Sequence, residues 1–364
     1  MKLKEIVQCF NEFAPFSYQE PYDNAGIQYG DPETEITGAL LSLDITEEII
    51  NEAISKKINL VVSHHPLLFS DLKKITGGDF VQKALIKAIK NDICILSVHT
   101  NIDAVKAGVN GKISEKLGLK NYEILQPTNG VLNKVVVYAP HAHSEAVKEA
   151  MFTAGAGHIG NYSECSFSTT GEGTFKGENE TKPYVGAKGV RHSESETRIE
   201  SIVPSNKLNE VISSMIKVHP YEEVAYDIYT LNNTLATVGS GIIGELEREM
   251  NTQEFFDYIK KTFNIPVIRH SKSHKASIKK VALCGGAGSF LLNKAISKGA
   301  DIFLTGDIKY HQFFEAEHKI ILADFGHYES EQYTLEIFSE QLKEKFSNFA
   351  VYFSDIVTNP VNYY

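Results

Sequence analysis

The sequence predicts an α/β protein, built as two related βαβ halves with mainly parallel sheets and interrupted by a smaller ferredoxin-like α+β segment. Three observations lead there. Short continuous apolar runs alternate with helical segments at both ends of the chain, the pattern of strands covered on both faces. A segment near residue 51 recurs near residue 293. Between residues 128 and 235 the pattern changes to two strand-helix-strand passes in tandem.

The elements follow in order. Leu3, Ile6, Val7 and Phe10 share one face of an N-terminal helix, while Glu5 and Gln8 interrupt any apolar leader. Asp23-Asn-Ala-Gly26 is a tight-turn segment that either lines or braces a cleft. The run 39–43 is a strand, and Asp44 before Thr46-Glu-Glu48 is read as the N-cap of the next helix in preference to a rim residue of a site. Strands follow at 58–62 and 93–98.

In the second half, strands are expected at 281–284, 301–304 and 319–323, in the same order relative to the helices. Five of the six residues of Asn51-Glu-Ala-Ile-Ser-Lys56 recur in Asn293-Lys-Ala-Ile-Ser-Lys298. The repeated order indicates duplication, and matching strand ends are expected to face each other. The duplicated domain is then discontinuous, 1–127 plus 236–364, and 128–235 is the insert. Within the insert, strands at 134–138 and 198–203 each precede a proline and a helix, and another strand is read at 224–229. The polar stretch 172–196 is read as loops and a hairpin, and His219-Pro-Tyr-Glu-Glu223 as a helix-ending turn.

With 364 residues, the chain is long enough for two domains or three. Its 42% hydrophobic and 23% charged residues are those of a globular protein. A net charge of −10, without a basic stripe, disfavours nucleic acid as the main partner. Cys9, Cys94, Cys165 and Cys284 form no CxxC pair, so a cytoplasmic chain without disulfides is expected. The apolar runs fall far short of the roughly 20 residues that span a bilayer.

The residues that could carry chemistry follow the strands, where open α/β sheets place their ligands. Ser63-His-His-Pro66, His99-Thr-Asn-Ile-Asp103, Thr305-Gly-Asp307 with His311, and Gly326-His-Tyr-Glu-Ser-Glu331 each stand after an apolar run. His327 and Glu331 stack on one face if a helix begins near Gly326. His99 with Asp103, and Asp307 with His311, have the same spacing. Imidazoles and carboxylates without thiolates suit Zn, Fe, Mn, Co or Ni, and more than four such ligands favour two divalent ions. Two ions against Asp103 and Glu331 would leave an excess of positive charge that attracts a small anion and acidifies a bridging water. Hydrolysis is the expected reaction class.

Two glycine-rich segments are weaker signals. Gly239-Ser-Gly-Ile-Ile-Gly244 has the GxGxxG spacing without a strand-to-helix transition, the next helix starting only at Asn251 or Thr252. Gly285-Gly-Ala-Gly-Ser289 does follow a strand and is read as a tight turn or an anion-holding loop.

These motifs, with Asp23-Asn-Ala-Gly26, resemble the GTP cyclohydrolase I type 2 family, also called NGG-interacting-factor-three-like proteins. The insert is similar to the PII and CutA fold found in longer bacterial members. The resemblance implies a dinuclear metal centre on His64, His65, Asp103, His327 and Glu331, and leaves His99, Asp307 and His311 as supporting or substrate-facing candidates. It also implies a toroidal homohexamer. The expected function is metal-dependent hydrolysis of a nucleotide or another phosphorylated small molecule through a metal-bridging hydroxide. The alternative is a non-catalytic metal-delivery protein or a regulatory protein sensing a small molecule.

Overall fold

The computed structural model describes residues 1–272 and 275–364. Two compact units are present, one formed by 1–127 with 236–364 and the other by 128–235.

The larger unit is a mixed α/β structure with two sheets. In the first, the order is Gly26–Tyr29, Cys94–Ser97, Leu60–Ser63, Ala39–Ser42 and Val351–Phe353, parallel except for Gly26–Tyr29. In the second, the order is Arg269–His270, Ile321–Asp324, Ile302–Thr305, Ser277–Leu283, Gly239–Asn251 and Lys120–Pro127, with the second to fourth strands parallel. Both sheets thus carry an antiparallel edge strand beside three parallel strands in reversed chain order.

The strands Ala39–Ser42, Leu60–Ser63, Cys94–Ser97, Ile302–Thr305 and Ile321–Asp324 are buried on both faces, which explains their continuous apolar runs. Leu41, Val62 and Leu96 of one sheet and Leu283, Leu304 and Ala323 of the other join one core with Phe10, Phe255, Ile259 and Phe338 from intervening helices. Leu40, Val61 and Ile95 point the opposite way, onto the helices Glu47–Ser55 and Phe80–Lys90. Ala282, Phe303 and Leu322 do the same in the second sheet, against Leu292 and Ala295. This period-2 division sends the side chains of these strands into two separate cores, and within each sheet the parallel pairing brings the strand ends to one side.

The smaller unit runs strand-helix-strand-strand-helix-strand. Its sheet is fully antiparallel, ordered Ser166–Lys176, Arg191–Pro204, Leu132–Pro140, Tyr226–Thr230. Val135, Val137, Ile199 and Val203 pack one face on Val147, Met151, Val211 and Met215 of the helices Ser144–Thr153 and Leu208–Val218. The stretch 172–196 is more ordered than the sequence suggested. It includes the end of an 11-residue strand and the start of a 14-residue one, paired from Ser166↔Ser201 to Lys176↔Arg191.

The Gly239–Gly244 segment lies inside a strand, and the helix Thr252–Phe263 begins eight residues later, so no dinucleotide-type turn exists there. Asn251 caps that helix by accepting from Glu254 N. No helix among the described residues is long and apolar enough to cross a membrane.

Candidate metal centre

The strand Leu60–Ser63 delivers two histidines because its ladder extends one step beyond the apolar run. His64 N donates to Ser42 O and His65 N to Leu43 O. Ser63 Oγ donates to His65 O at 2.7 Å, fixing the turn at which the adjacent imidazoles diverge. The His64 ring is wholly buried and that of His65 partly exposed.

After Cys94–Ser97 the chain makes a single helical turn, Thr100–Asp103. Asp23 anchors it by accepting from His99 Nδ1 at 2.8 Å and from Thr100 N at 3.0 Å. Burial would raise the Asp23 pKa, but these donors outweigh it and hold the group down at about 2. Asp23 therefore braces the turn.

After Ile321–Asp324 comes the short helix His327–Glu331, as the four-residue spacing predicts. His327 Nε2 and Glu331 Oε2 are 3.0 Å apart across one helical turn.

These pieces converge. Glu331 Oε2 is 3.0 Å from His65 Nε2 and 3.0 Å from His327 Nε2, and the two Nε2 atoms are 3.3 Å apart. Ligands held about 2.0–2.2 Å from one ion stand about 2.8–3.6 Å apart in octahedral or tetrahedral geometry, so this triangle has the size of a coordination face. The other oxygen, Glu331 Oε1, is 3.7 Å from His64 Nε2, which is also 3.7 Å from Asp103 Oδ1. His64, Asp103 and Glu331 make a second cluster of ligand type, and His64, His65 and His99 a third. One carboxylate thus offers a different oxygen to each of two ligand sets.

The remaining ring nitrogens are already used. His65 Nδ1 meets Asp44 Oδ1 at 2.7 Å, His327 Nδ1 meets Asp307 Oδ2 at 2.7 Å, and His64 Nδ1 meets Val98 O at 2.9 Å. An acceptor at Nδ1 keeps the proton there and turns the Nε2 lone pair to the centre. Among the described residues, four buried side-chain atoms lack a hydrogen-bond partner, and three are His64 Nε2, Asp103 Oδ1 and Glu331 Oε2. Leaving one such atom unsatisfied costs about 1–3 kcal/mol, and three together mark a place where a cation completes the set. The residues present fit a divalent metal site.

Charge within the cluster agrees. Burial depresses the His64 pKa to about 4 against the pull of Glu331, so the ring stays neutral and able to ligate. Burial opposes protonation of His65 and His327, but Asp44 with Glu331, and Glu331 with Asp307, push their pKa values up to about 10 and about 9. Glu331 is held well below the usual carboxylate range by the surrounding imidazoles despite its burial. Asp103 is driven well above it by burial and by Glu331 beside it.

Four residues matter here in ways the sequence did not show. Asp44 is not a helix cap: Thr46 caps Glu47–Ser55 by accepting from Ile49 N, and Asp44 orients His65. Thr358 Oγ1 donates to the other Asp44 oxygen at 2.7 Å, bringing the C-terminal segment into the same network. Gly286, within the glycine-rich loop after Ser277–Leu283, has φ +60°, and a Cβ there would stand 2.2 Å from Glu331 Oε1. Its glycine-rich spacing was a visible signal, but the steric role was not. Asn101, fully buried, donates to Ala14 O and accepts from His99 N.

His311 is not brought to the cluster. It lies in the 3₁₀ segment Tyr310–Ala316, exposed, with its ring against Tyr310 and Phe314. Asp307 takes a left-handed conformation, φ 55°, that breaks the helical register needed for a pair with His311 and turns its carboxylate to His327. The expected excess of positive charge also needs correction. Asp23, Asp44 and Asp307 each touch a histidine of the cluster, so five carboxylates, not two, would balance two divalent ions.

A cavity of about 440 Å³ opens on His65 and His327 and is walled by Arg269, Tyr328, Asn359 and Tyr363. The Arg269 guanidinium is joined to Asp324 and to Ile308 O.

The family model of Duf34/NIF3 (NGG1p interacting factor 3) matches residues 1–360. The chain belongs to the Duf34/NIF3 family. Among its NIF3-family relatives, the GTP cyclohydrolase 1 type 2 homolog of Halalkalibacterium halodurans is 40% identical over 363 residues, covering 98% of each chain. The Bacillus subtilis homolog of the same name is 38% identical over 327 residues, covering 89% of this chain and 88% of that one. A Bacillus cereus protein related to NIF3 superposes with a TM-score of 0.86 at 37% identity, over 100% of this chain and 99% of the other.

Proposed function

We propose that this NIF3-family chain holds two divalent ions, one on His65, His327 and Glu331 and one on His64, Asp103 and Glu331, and acts as a metal-dependent hydrolase on a nucleotide or another phosphorylated small molecule. The observation that carries it is the splitting of the Glu331 carboxylate between two sets of inward-facing ligand atoms. Bound ions of this kind supply Lewis acidity and lower the pKa of coordinated water. The chain's own residues do the rest. Asp44 and Asp307 orient His65 and His327, Asp23 sets the turn that carries Asp103, and the 440 Å³ cavity offers room for a small substrate beside the ligands. His99 stands beside His64 and His65 and is assigned a supporting or substrate-facing role. With the carboxylates balancing the ions, and Arg269 on the cavity wall already paired with Asp324, anion recognition would fall mainly to the ions themselves.

The matching strand order of the two large sheets supports duplication of one α/β unit, and the antiparallel order of the smaller unit supports a ferredoxin-like insert of the PII/CutA kind. A cytoplasmic homohexamer completes the proposal.

The test is metal content of the reconstituted protein across Zn, Mn, Fe, Co and Ni, followed by turnover of a nucleotide and phosphoester panel with and without chelator. Two ions per chain with chelator-sensitive turnover supports the hydrolase. Two ions with no turnover favours metal delivery or regulation, and fewer than one ion removes the dinuclear centre.

A further inference from the structure

The smaller unit contains a cavity of about 560 Å³, remote in sequence from every ligand named above. We propose that it is a binding site for a small organic cation of the alkylated-ammonium class, received by the rings of Phe175, Tyr184 and Tyr221 and by the carboxylate of Glu196.

The site arises from strand alternation. The helices Ser144–Thr153 and Leu208–Val218 cover the sheet face bearing Val137, Ile199 and Val203. On the opposite face, register pairs Tyr138 with Arg198, Gly171 with Glu196, and Phe175 with His192. Gly171 and Gly173 leave the floor open: a Cβ at Gly171 would meet nothing within 4 Å, and one at Gly173 would stand 2.1 Å from Glu196 Oε2. The carboxylate of Glu196 therefore lies over bare backbone. Lys182 N donates to Glu222 Oε1 at 2.7 Å, joining the hairpin loop to the 219–225 segment as a wall.

That wall explains His219-Pro-Tyr-Glu-Glu223. His219 is buried, with Nε2 on Tyr138 O at 2.9 Å and Nδ1 accepting from Tyr221 N at 3.1 Å. Both ring nitrogens serve the backbone, so this histidine is a brace and not a ligand. It presents Tyr221, whose hydroxyl donates to Glu196 Oε1 at 2.9 Å. The Tyr221 ring centre is 6.2 Å from that of Phe175 and 6.3 Å from that of Tyr184.

Charge selects the ligand. Glu172, Glu196, Glu222 and Glu223 line the cavity against Lys176 and Arg198. Arg198 donates to Glu200 at 2.8 Å and lies over the Tyr138 ring, so its charge is already engaged. An anion would meet a net negative wall. The metal-ligand clusters among the described residues all lie elsewhere, so the aromatic walls, not coordination, define this site. A cation within about 6 Å of ring centres is attracted by their negative faces, and alkylated ammonium groups also gain from the apolar contact. A cavity of this size suits a small organic molecule.

The test uses the full chain titrated by calorimetry with tetramethylammonium, choline and benzyltrimethylammonium, and with 3,3-dimethylbutan-1-ol, the uncharged shape analogue of choline. At least one cation is expected to bind with Kd below about 1 mM, and choline at least about tenfold tighter than its analogue. Tyr221→Leu and Glu196→Gln are each expected to weaken the best cation by about tenfold, Tyr221→Phe by less than about threefold, and His65→Ala not at all. Gly173→Ala, which displaces the Glu196 carboxylate without removing it, gives an independent loss if Tyr221→Leu fails to fold. Failure of all three cations to bind with Kd below about 1 mM, equal binding of choline and its analogue, or wild-type affinity in Glu196→Gln and Gly173→Ala overturns the proposal.

Discussion

His65 and His327 stand 262 residues apart in the chain, yet their Nε2 atoms approach to 3.3 Å. Each ring has its Nδ1 on a carboxylate, Asp44 for one and Asp307 for the other, so the two Nε2 atoms are turned to each other. Two ring nitrogens at that separation call for positive charge, on the rings as protons or between them as a cation. Glu331 Oε2, 3.0 Å from both, makes the demand for a cation stronger.

Ligand removal should therefore act unequally. Glu331→Gln is expected to reduce metal content from about two ions per chain to less than one, because it weakens both sets. His327→Ala should leave about one ion. Elemental analysis after dialysis reads both numbers, and far-UV dichroism should stay near wild type. Equal losses in the two variants would contradict a shared carboxylate.

Asp44 and Thr358 act through His65. Asp44→Ala should weaken metal affinity by about 10- to 100-fold, the range for partners that orient a ligating histidine. Thr358→Val should have a smaller effect of the same sign, since Thr358 holds the second oxygen of Asp44. Competition with a chromogenic chelator measures both, and an unchanged affinity in Asp44→Ala would remove its orienting role.

Gly286→Ala combines two penalties, a left-handed backbone and a Cβ driven against Glu331. We expect a loss of more than about 1 kcal/mol in stability by denaturant titration, together with reduced metal content. Ser289→Ala, just beyond the same glycine-rich loop, is a control expected to leave metal content unchanged.

Asn101→Ala should cost about 1–3 kcal/mol, because it leaves Ala14 O and His99 N without a buried partner. Urea unfolding provides the value, and the loss should exceed that of an exposed asparagine such as Asn91→Ala.

A pH effect belongs to His219. Burial holds its pKa below the ordinary value of 6.5, against its bond to Tyr138 O and the charge of Glu196, while His143 adds to the depression. Between the folded and unfolded values the unfolded chain carries more protons, so stability falls as pH drops below about 6.5 and is fully present above it. Protonation at Nδ1 also removes the acceptor for Tyr221 N. Imidazole NMR shifts should report a midpoint below 6.5, and a midpoint above it would reverse the sign.

Much of the candidate centre was legible because its ligands sit directly after apolar runs, and strand ends are where an open sheet presents side chains. His327 and Glu331 were legible as a pair because four residues make one helical turn. Asp307 and His311 share that spacing, but the left-handed backbone at Asp307 sends the carboxylate to His327 and leaves His311 exposed. The cap assigned to Asp44 went to Thr46, since either residue suits the start of a helix and only the neighbouring imidazole decides between them. The hairpin expected within 172–196 is present, but the length of its strands was obscured by glycine and serine, residues of low strand propensity whose pairing comes from the partner strand.

Local order in this protein is written in neighbouring residues: which segments alternate, which turn ends in histidine, which pair shares a helical face. The amino-acid sequence by itself determined the ligand types and their positions after the strands, since those depend on periodicities of two to four residues. Tertiary structure alone decided that His65 meets His327, that Glu331 divides its oxygens between two sets, and that Asp23, Asp44 and Asp307 stand behind the histidines. Those contacts depend on how one sheet is placed against another, and the packing that places them is spread over cores shared by distant parts of the chain.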